Sequence, residues 1–501
     1  MRSRICAPAG PRTRPRMRRG VLVAVVAWLA AGPAAGQVVR VTGLSTMQYV
    51  QVRPLVNDSV PVTETSGEGL IRRTLDGHLV RCVTGEVICR GVKSGDARSV
   101  VPVIQDLTVS AWGLGRGVRV YAQLRTRAAV GGNEELWPRA DQTLEAMAAF
   151  VELDRGRVRL RGGRQWKVSG LGYYNFDGAS ALFRALPTLS IEAFGGWSLA
   201  RGLNEPLTSE SLAAIEPFAP DKRSLLLGAQ ASYRPFSSLA ASLLYQREIR
   251  TDRLGLTAER VAADALWRWR RGTINGSIEA DIATRNVNDG RLNARMLVAD
   301  AVTARAWLRT YKPFFELWTI WGVFDPVGFG EGGLGVSIHP AGRPFSADLD
   351  FSRREYAETN ASTVFGAYRS SSWTATANAS WRPASRWTVQ GDYRVEFGFG
   401  SAGSDAGVRA QRDFGDRASL GLSALAFQRQ YEFRIAEGTV YGLGADGRIR
   451  LAPRTRLNGS LAFYRHSGLA SEPDVDWSQV RGLLQFEWTI GPEPGTNGGA
   501  R

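Results

Sequence analysis

From Val100 to Ile490 the chain repeats one pattern: about ten residues of alternating polarity, then a cluster of Gly, Pro, Asp, Asn or Ser. A strand has a side-chain period of two, so each repeat predicts a strand with one apolar and one polar wall. Val118, Val120, Ala122 and Leu124 oppose Arg119, Tyr121, Gln123, Arg125 and Arg127. Ile274, Gly276, Ile278, Ala280 and Ile282 oppose Asn275, Ser277, Glu279 and Asp281. Phe345, Ala347, Leu349 and Phe351 oppose Ser346, Asp348, Asp350 and Ser352. Trp387, Val389, Gly391, Tyr393, Val395 and Phe397 oppose Thr388, Gln390, Asp392, Arg394 and Glu396. The last repeat sets Val480, Gly482, Leu484, Phe486, Trp488 and Ile490 against Arg481, Gln485, Glu487 and Thr489.

The apolar walls mix Gly and Ala with aromatics. A soluble sandwich needs large apolar residues there to fill a core ~10 Å thick, whereas a wall facing lipid needs no interlocked packing. Aromatics gather near segment ends, as in Trp267/Trp269, Trp318/Trp321, Trp381/Trp387 and Trp477/Trp488, which suits the interfacial girdles of a membrane barrel. The competing reading makes them core tryptophans of a soluble propeller. We expect an all-β fold: a transmembrane, antiparallel, up-and-down β-barrel of about 16–20 strands, 18 as the central value, over residues 100–490. Residues 37–53 supply a first strand, and both termini are placed on the periplasmic side. Short connections are expected at Pro235-Phe236-Ser237 and Arg271-Gly272, long ones at 54–99, 131–143, 198–222 and 325–344. The third long one offers Thr208 or Ser209 as the cap of a short helix ending before Pro217.

Residues 54–99 break the pattern and form a small insertion with Cys82 and Cys89. A two-residue turn at Gly85-Glu86 pairs Thr84 with Val87 and sets the two cysteines opposite each other, predicting a disulfide in an exported chain. A zinc site would need two more ligands, and only His78 is near. The insertion becomes the first extracellular loop, over or inside the pore. It is too short for the plug of a TonB-type receptor.

The chain opens on an Arg-rich leader, the apolar run Val21–Ala31 and the small residues Ala34-Ala35-Gly36, a secretory signal over residues 1–36 cleaved before Gln37. Met17-Arg18-Arg19 offers an alternative start. The formal net charge is +16; residues 1–36 carry seven arginines and no acid, so their removal leaves about +9. Beyond the leader no apolar run is long enough to span a bilayer as a helix, so a membrane location requires a closed barrel. Basic residues are not clustered, which argues against nucleic acid as a partner. The expected location is the outer membrane of a Gram-negative-type bacterium. The expected partners are its lipids, the barrel-assembly machinery and a polar or anionic solute. Residues 491–501 are expected to form a disordered tail.

One stretch concentrates the chemistry: RVRLRGGRQWKVSGLGYYNFDG, residues 157–178. Val158 and Leu160 make an apolar wall against Arg157, Arg159 and Arg161, and Gly162-Gly163 then interrupts the alternation. Counted straight through, Arg164 shares the lipid face, which is costly for a charge; a one-residue bulge at the glycines returns it to the lumen. Gly163-Arg164-Gln165 followed by Phe176-Asp177-Gly178 resembles outer-membrane barrels of the alginate-export type. The resemblance covers residues 118–197, with Arg125-Thr126-Arg127 also in character. It implies an eighteen-stranded monomer whose arginine-rich lumen passes an anionic polysaccharide. The cysteine insertion and the tail after Ile490 depart from that pattern.

The function expected is a channel for small or polymeric polar solutes with a mild anion preference. Its candidate lumen contacts are Arg119, Arg125, Arg127, Arg157, Arg159, Arg161, Arg164, Arg268, Arg270 and Arg394. Arginine stays charged and matches carboxylate and phosphate oxygens in a planar fork. The alternative pairs these arginines with Glu279, Asp281, Asp348, Asp350, Asp392 and Glu396, bracing the barrel and weakening selectivity; Arg164 and Asp177 are either such a pair or a substrate contact. A barrel hydrolase is the other class, as is a structural membrane protein without an open pore. The chain offers a nucleophilic triad only His78, His339 and His466. No metal-ligand spacing, phosphate-binding loop or nucleophile elbow occurs, so neither enzymatic activity, a cofactor nor a metal is expected.

Overall fold

The computed structural model describes residues 38–492, apart from 53–54, 76–78, 84, 131–143, 200–223, 251–254, 313–327, 358–370, 399–400, 430–437 and 469–476. The expectations for the leader, for Thr84 and His78, for the capped helix before Pro217, for Trp318 and Trp321 and for the tail past residue 492 lie outside these residues.

Alternating polarity over 10–15 residues gives each wall strand its two faces, and 22 such strands form one antiparallel sheet that closes on itself. Val38–Val52 pairs with Arg98–Trp112 on one side and with the last strand, Trp477–Ile490, on the other. The barrel is therefore wider than the eighteen strands expected. Eighteen strands would leave more residues to each strand and its connection than the chain uses. Many strands are instead joined by two residues, as between Leu186 and Leu189, Phe236 and Leu239, or Ala299 and Val302. These short turns lie at one end of the barrel, and the longer connections at the other.

The two walls separate cleanly. One register row runs Ile191, Ala231, Leu243, Ala263, Ile278 and carries no charge. The row beside it runs Glu192, Gln230, Leu244, Ala262, Glu279, Asp289. The first wall is the outside, where Leu243, Leu308 and Leu334 stand 53 %, 60 % and 68 % exposed. An apolar belt this continuous exceeds what a water-exposed surface carries. Trp267, Trp381 and Trp387 sit on this wall near strand ends, as girdle residues would, whereas Trp477 falls on the inner wall with Arg481 and Gln485.

The insertion folds separately as a five-stranded sheet in which Leu55–Pro61 pairs with Ile88–Ser94, followed by Leu79–Arg81, Ile71–Thr74 and Thr65–Ser66. Val80↔Gly91 and Arg81↔Arg90 are in register, and the next pair is the Cys82–Cys89 disulfide. The turn closes between the Val83 carbonyl and the Glu86 N–H, one residue earlier than the Gly85-Glu86 turn expected. Both cysteines are buried beside Val80, with Val62 against them.

At the seam Gly43 faces Trp488, and the indole lies over the glycine so closely that a Cβ there would stand 2.2 Å from the ring. Gly43→Val should displace Trp488 and destabilise closure by ~1–3 kcal/mol, the usual cost of overpacking. A lowered temperature for loss of the compact, heat-modifiable form on gels is the expected readout. Cys82→Ser should leave that temperature unchanged while opening residues 55–94 to protease.

Candidate functional site

The stretch 157–178 does not stay in the wall. Val158–Ser169 and Gly172–Leu186 form a hairpin whose register is unbroken, Gly163 facing Gly178 and Arg164 facing Asp177. Gly178 in turn faces Gly196 on the next strand, Leu189–Ser198. A Cβ on Gly178 would lie 2.6 Å from the Gly196 Cα, and one on Gly196 would lie 2.6 Å from the Gly178 Cα. Gly163 has φ +124°, and a Cβ there would meet the Ala149 carbonyl at 2.3 Å. These glycines line the concave side of a crease, where only residues without side chains let the sheet fold sharply inward.

Beyond the crease the hairpin doubles back over the inner wall. Lys167 pairs with Tyr174 in register, and Glu192 pairs with Leu182, eight residues further along the same strand. In a flat sheet those rows would be roughly 26 Å apart at the strand rise of ~3.3 Å per residue. The Lys167 ammonium nevertheless stands 2.7 Å from the Glu192 carboxylate and 4.6 Å from the Phe194 ring centre. The hairpin tip reaches the strand Leu256–Trp269, where Arg260 donates to the Tyr174 hydroxyl at 2.5 Å and the Leu171 carbonyl at 3.4 Å. Tyr174 itself donates to that carbonyl at 2.6 Å. Leu171, Tyr174, Phe176, Phe194, Leu226, Leu244 and Ala262 close into a buried cluster between hairpin and wall.

Gln165 bolts the crease from inside. It is 3 % exposed, its amide donates to the Gly178 carbonyl at 3.1 Å, and its carbonyl accepts from the Ser180 hydroxyl at 2.9 Å. Arg164 forms a forked pair with Asp177 at 2.7 and 2.9 Å and donates to the Ala146 carbonyl at 2.9 Å. The expected one-residue bulge at the glycines is absent from this register; the crease, by turning the whole hairpin over, brings Arg164, Trp166 and Tyr173 to its pore-facing side. A cavity of about 220 Å³ remains between hairpin and wall, lined among others by Arg161, Gln165, Lys167, Glu192 and Gln230.

The other arginines fall into two groups. Arg119, Arg125, Arg127, Arg159, Arg161 and Arg394 lie on inward positions and are paired. Arg125 meets Asp106 at 2.7 Å, Arg127 meets Glu145 at 2.8 Å, and Arg394 meets Glu396 at 2.5 Å. Glu152 collects Arg161 at 2.6 Å, with Arg119 and Arg159 at 3.8 and 3.9 Å. Arg268 is also inward, near the short-turn end. Arg157 and Arg270 lie in turns at that end, not on the wall, because the strands they were assigned to begin and stop one residue short of them.

A second inward feature went unnoticed in the sequence. The row through Ala262, Glu279 and Asp289 continues to Tyr311, Phe329 and Tyr356, so it lies level with the hairpin tip. Arg309 stacks on Tyr311 at 4.6 Å and Arg354 on Phe329 at 4.4 Å. Asp289 and Glu331 balance them, Arg309 lying 3.3 Å from Asp289 and Arg354 lying 2.9 Å from Glu331. The i, i+2 spacing of Arg309 and Tyr311, and of Arg354 and Tyr356, was the available signal. Among the described residues no group of three or more His, Cys, Asp or Glu is placed to hold a metal ion. His466 stacks flat against Trp477.

No family model and no curated protein matches the chain, so the resemblance to alginate-export barrels gains no support. Solved structures similar to it include Acinetobacter baumannii OccAB1, at TM-score 0.40 and 8 % identity over 92 % of this chain and 98 % of that one. Pseudomonas aeruginosa OccK3 (OpdO) gives 0.38 and 9 % over 91 % and 96 %, and a BenF-like porin from Pseudomonas fluorescens Pf-5 gives 0.38 and 8 % over 92 % and 100 %.

Phe176 is 1 % exposed, so Phe176→Ala should cost ~3–5 kcal/mol of the contact holding the hairpin to the wall. Faster protease cleavage at the hairpin tip of the variant, between Ser169 and Gly172, with the heat-modifiable barrel form retained, is the expected outcome.

Proposed function

We propose that this protein is an outer-membrane channel for small polar solutes. The observation that carries the reading is the hairpin Arg164–Asp177, folded into a closed barrel whose outer wall is an apolar belt and whose inner wall is charged. A closed barrel leaves no unpaired edge in lipid, strands of 10–15 residues match or exceed the ~9–11 needed to cross, and the polar wall supplies an aqueous path. The hairpin and the level ring of Arg260, Glu279, Arg309 and Arg354 form the narrow zone through which a solute passes. A barrier lying across the lumen favours compact solutes over a polymer.

The preference for anions is mild on this reading. Most inward arginines are already met by a carboxylate, so their fields largely cancel, and selectivity rests on places where arginines outnumber acids, as where Arg119, Arg159 and Arg161 share Glu152. With the short turns placed in the periplasm, as in bacterial barrels generally, the small disulfide-bonded sheet stands at the cell surface. The last strand, with Phe486 and Trp488 on its outer wall, is the part offered to the barrel-assembly machinery.

Conductance of the purified protein in a planar bilayer under a salt gradient tests this. Stable channels with a small anion-selective reversal potential are expected, and the potential should move toward zero in Arg125→Ala/Arg164→Ala. Absence of channels from correctly folded protein would sink the reading, and a cation-selective potential would sink its anion preference.

A further inference from the structure

The outer wall carries a groove of about 670 Å³, within the ~300–1,000 Å³ typical of ligand sites. Its apolar side chains are Ile278, Leu292 and Leu308, and its depth comes from Gly330 and Gly332, outward positions without side chains. A Cβ on Gly330 would meet nothing within 4 Å, so the space above it is open. Arg353 borders the groove on the adjacent strand, in register with Gly332, and therefore also points outward. An arginine on a wall facing lipid is costly unless its head reaches the interface or a counter-charge. Here the guanidinium is flattened on the Trp373 ring at 4.8 Å and its Nη2 pairs with Glu355 at 2.6 Å. Both charged side chains stay well exposed, 49 % and 65 %. They stand near the strand end Tyr356, on the side of the longer connections.

An apolar trough ending at a partly exposed guanidinium is complementary to an amphiphile with an anionic head. We propose that the groove holds a phosphorylated lipid of the outer leaflet, one acyl chain over Gly330 and Gly332 and its phosphate on Arg353. A guanidinium has five N–H donors, and the bond to Glu355 engages only Nη2. Glu355 opposes an approaching phosphate, so the site selects a head group able to reach the far edge of the guanidinium. The proposal rests on the membrane reading above and goes beyond it, since permeation does not require this wall.

The test is native mass spectrometry of the purified, delipidated full chain titrated with phosphatidic acid, and with phosphatidylcholine of the same chains. Severalfold greater retention of phosphatidic acid is expected. Arg353→Gln should reduce it to the phosphatidylcholine level, and Gly330→Leu, whose Cβ enters open space, should abolish it. Equal retention of the two lipids, unchanged retention in Gly330→Leu, or displacement of the lipid by inorganic phosphate would each overturn the proposal. The heat-modifiable gel shift, read on the same samples, separates the two failures: without it in the wild type, the membrane reading falls and takes the proposal with it.

Discussion

A β-sheet bends sharply toward one face only where that face has nothing projecting from it. Here the condition is met by Gly163, Gly178 and Gly196, brought side by side by the register of three consecutive strands. Everything inside the barrel follows from that fold line. It swings Phe176 and Tyr174 onto the inner wall, where they bury Phe194, Leu226 and Leu244. It also aims the tip at Arg260, whose other partner, Glu279, links the hairpin to the charged ring. Replacing any of the three glycines with a residue bearing a Cβ pushes the crease open at its vertex.

The charges inside obey a similar economy. A lumen-facing carboxylate that gathers several arginines, as Glu152 does, spreads the pairing over neighbouring strands. Each exposed pair contributes little, ~0–1 kcal/mol, yet networks fix the lateral spacing of side chains. The wall thus presents alternating signs, and the hairpin covers part of them.

Strand alternation made the barrel legible, since the residues set outward in the sequence, such as Leu349, Phe351, Tyr393 and Phe397, are the exposed ones. The strand number was not legible. Turns as brief as Asp300-Ala301 look like any polar break, and the eye merges two short strands into one unit. The inward hairpin was hidden for a different reason. Gly162-Gly163 announces an irregularity, but bulge and crease share that local sequence. Only the alignment with Gly178 and Gly196, which depends on pairing across three strands, separates them. The Gly163-Arg164-Gln165 and Phe176-Asp177-Gly178 segments accordingly turn out to be the hinge, bolt, clasp and anchor of one hairpin. The arginine–aromatic ring was missed because Tyr311, Phe329 and Tyr356 come together only through register.

The seam between the first and last strands dictates a timetable. Thr42 and Thr489 are neighbours, with their hydroxyl oxygens 3.4 Å apart, yet 447 residues separate them along the chain. Until Trp477–Ile490 has been made, Val38–Val52 can complete only one of its two ladders and keeps an open edge, the arrangement most prone to mispairing. Contacts this distant in sequence form slowly. The first strand must therefore be kept from wrong partners until Trp477–Ile490 is in place, and that last strand, not the first, starts the clock on a finished wall.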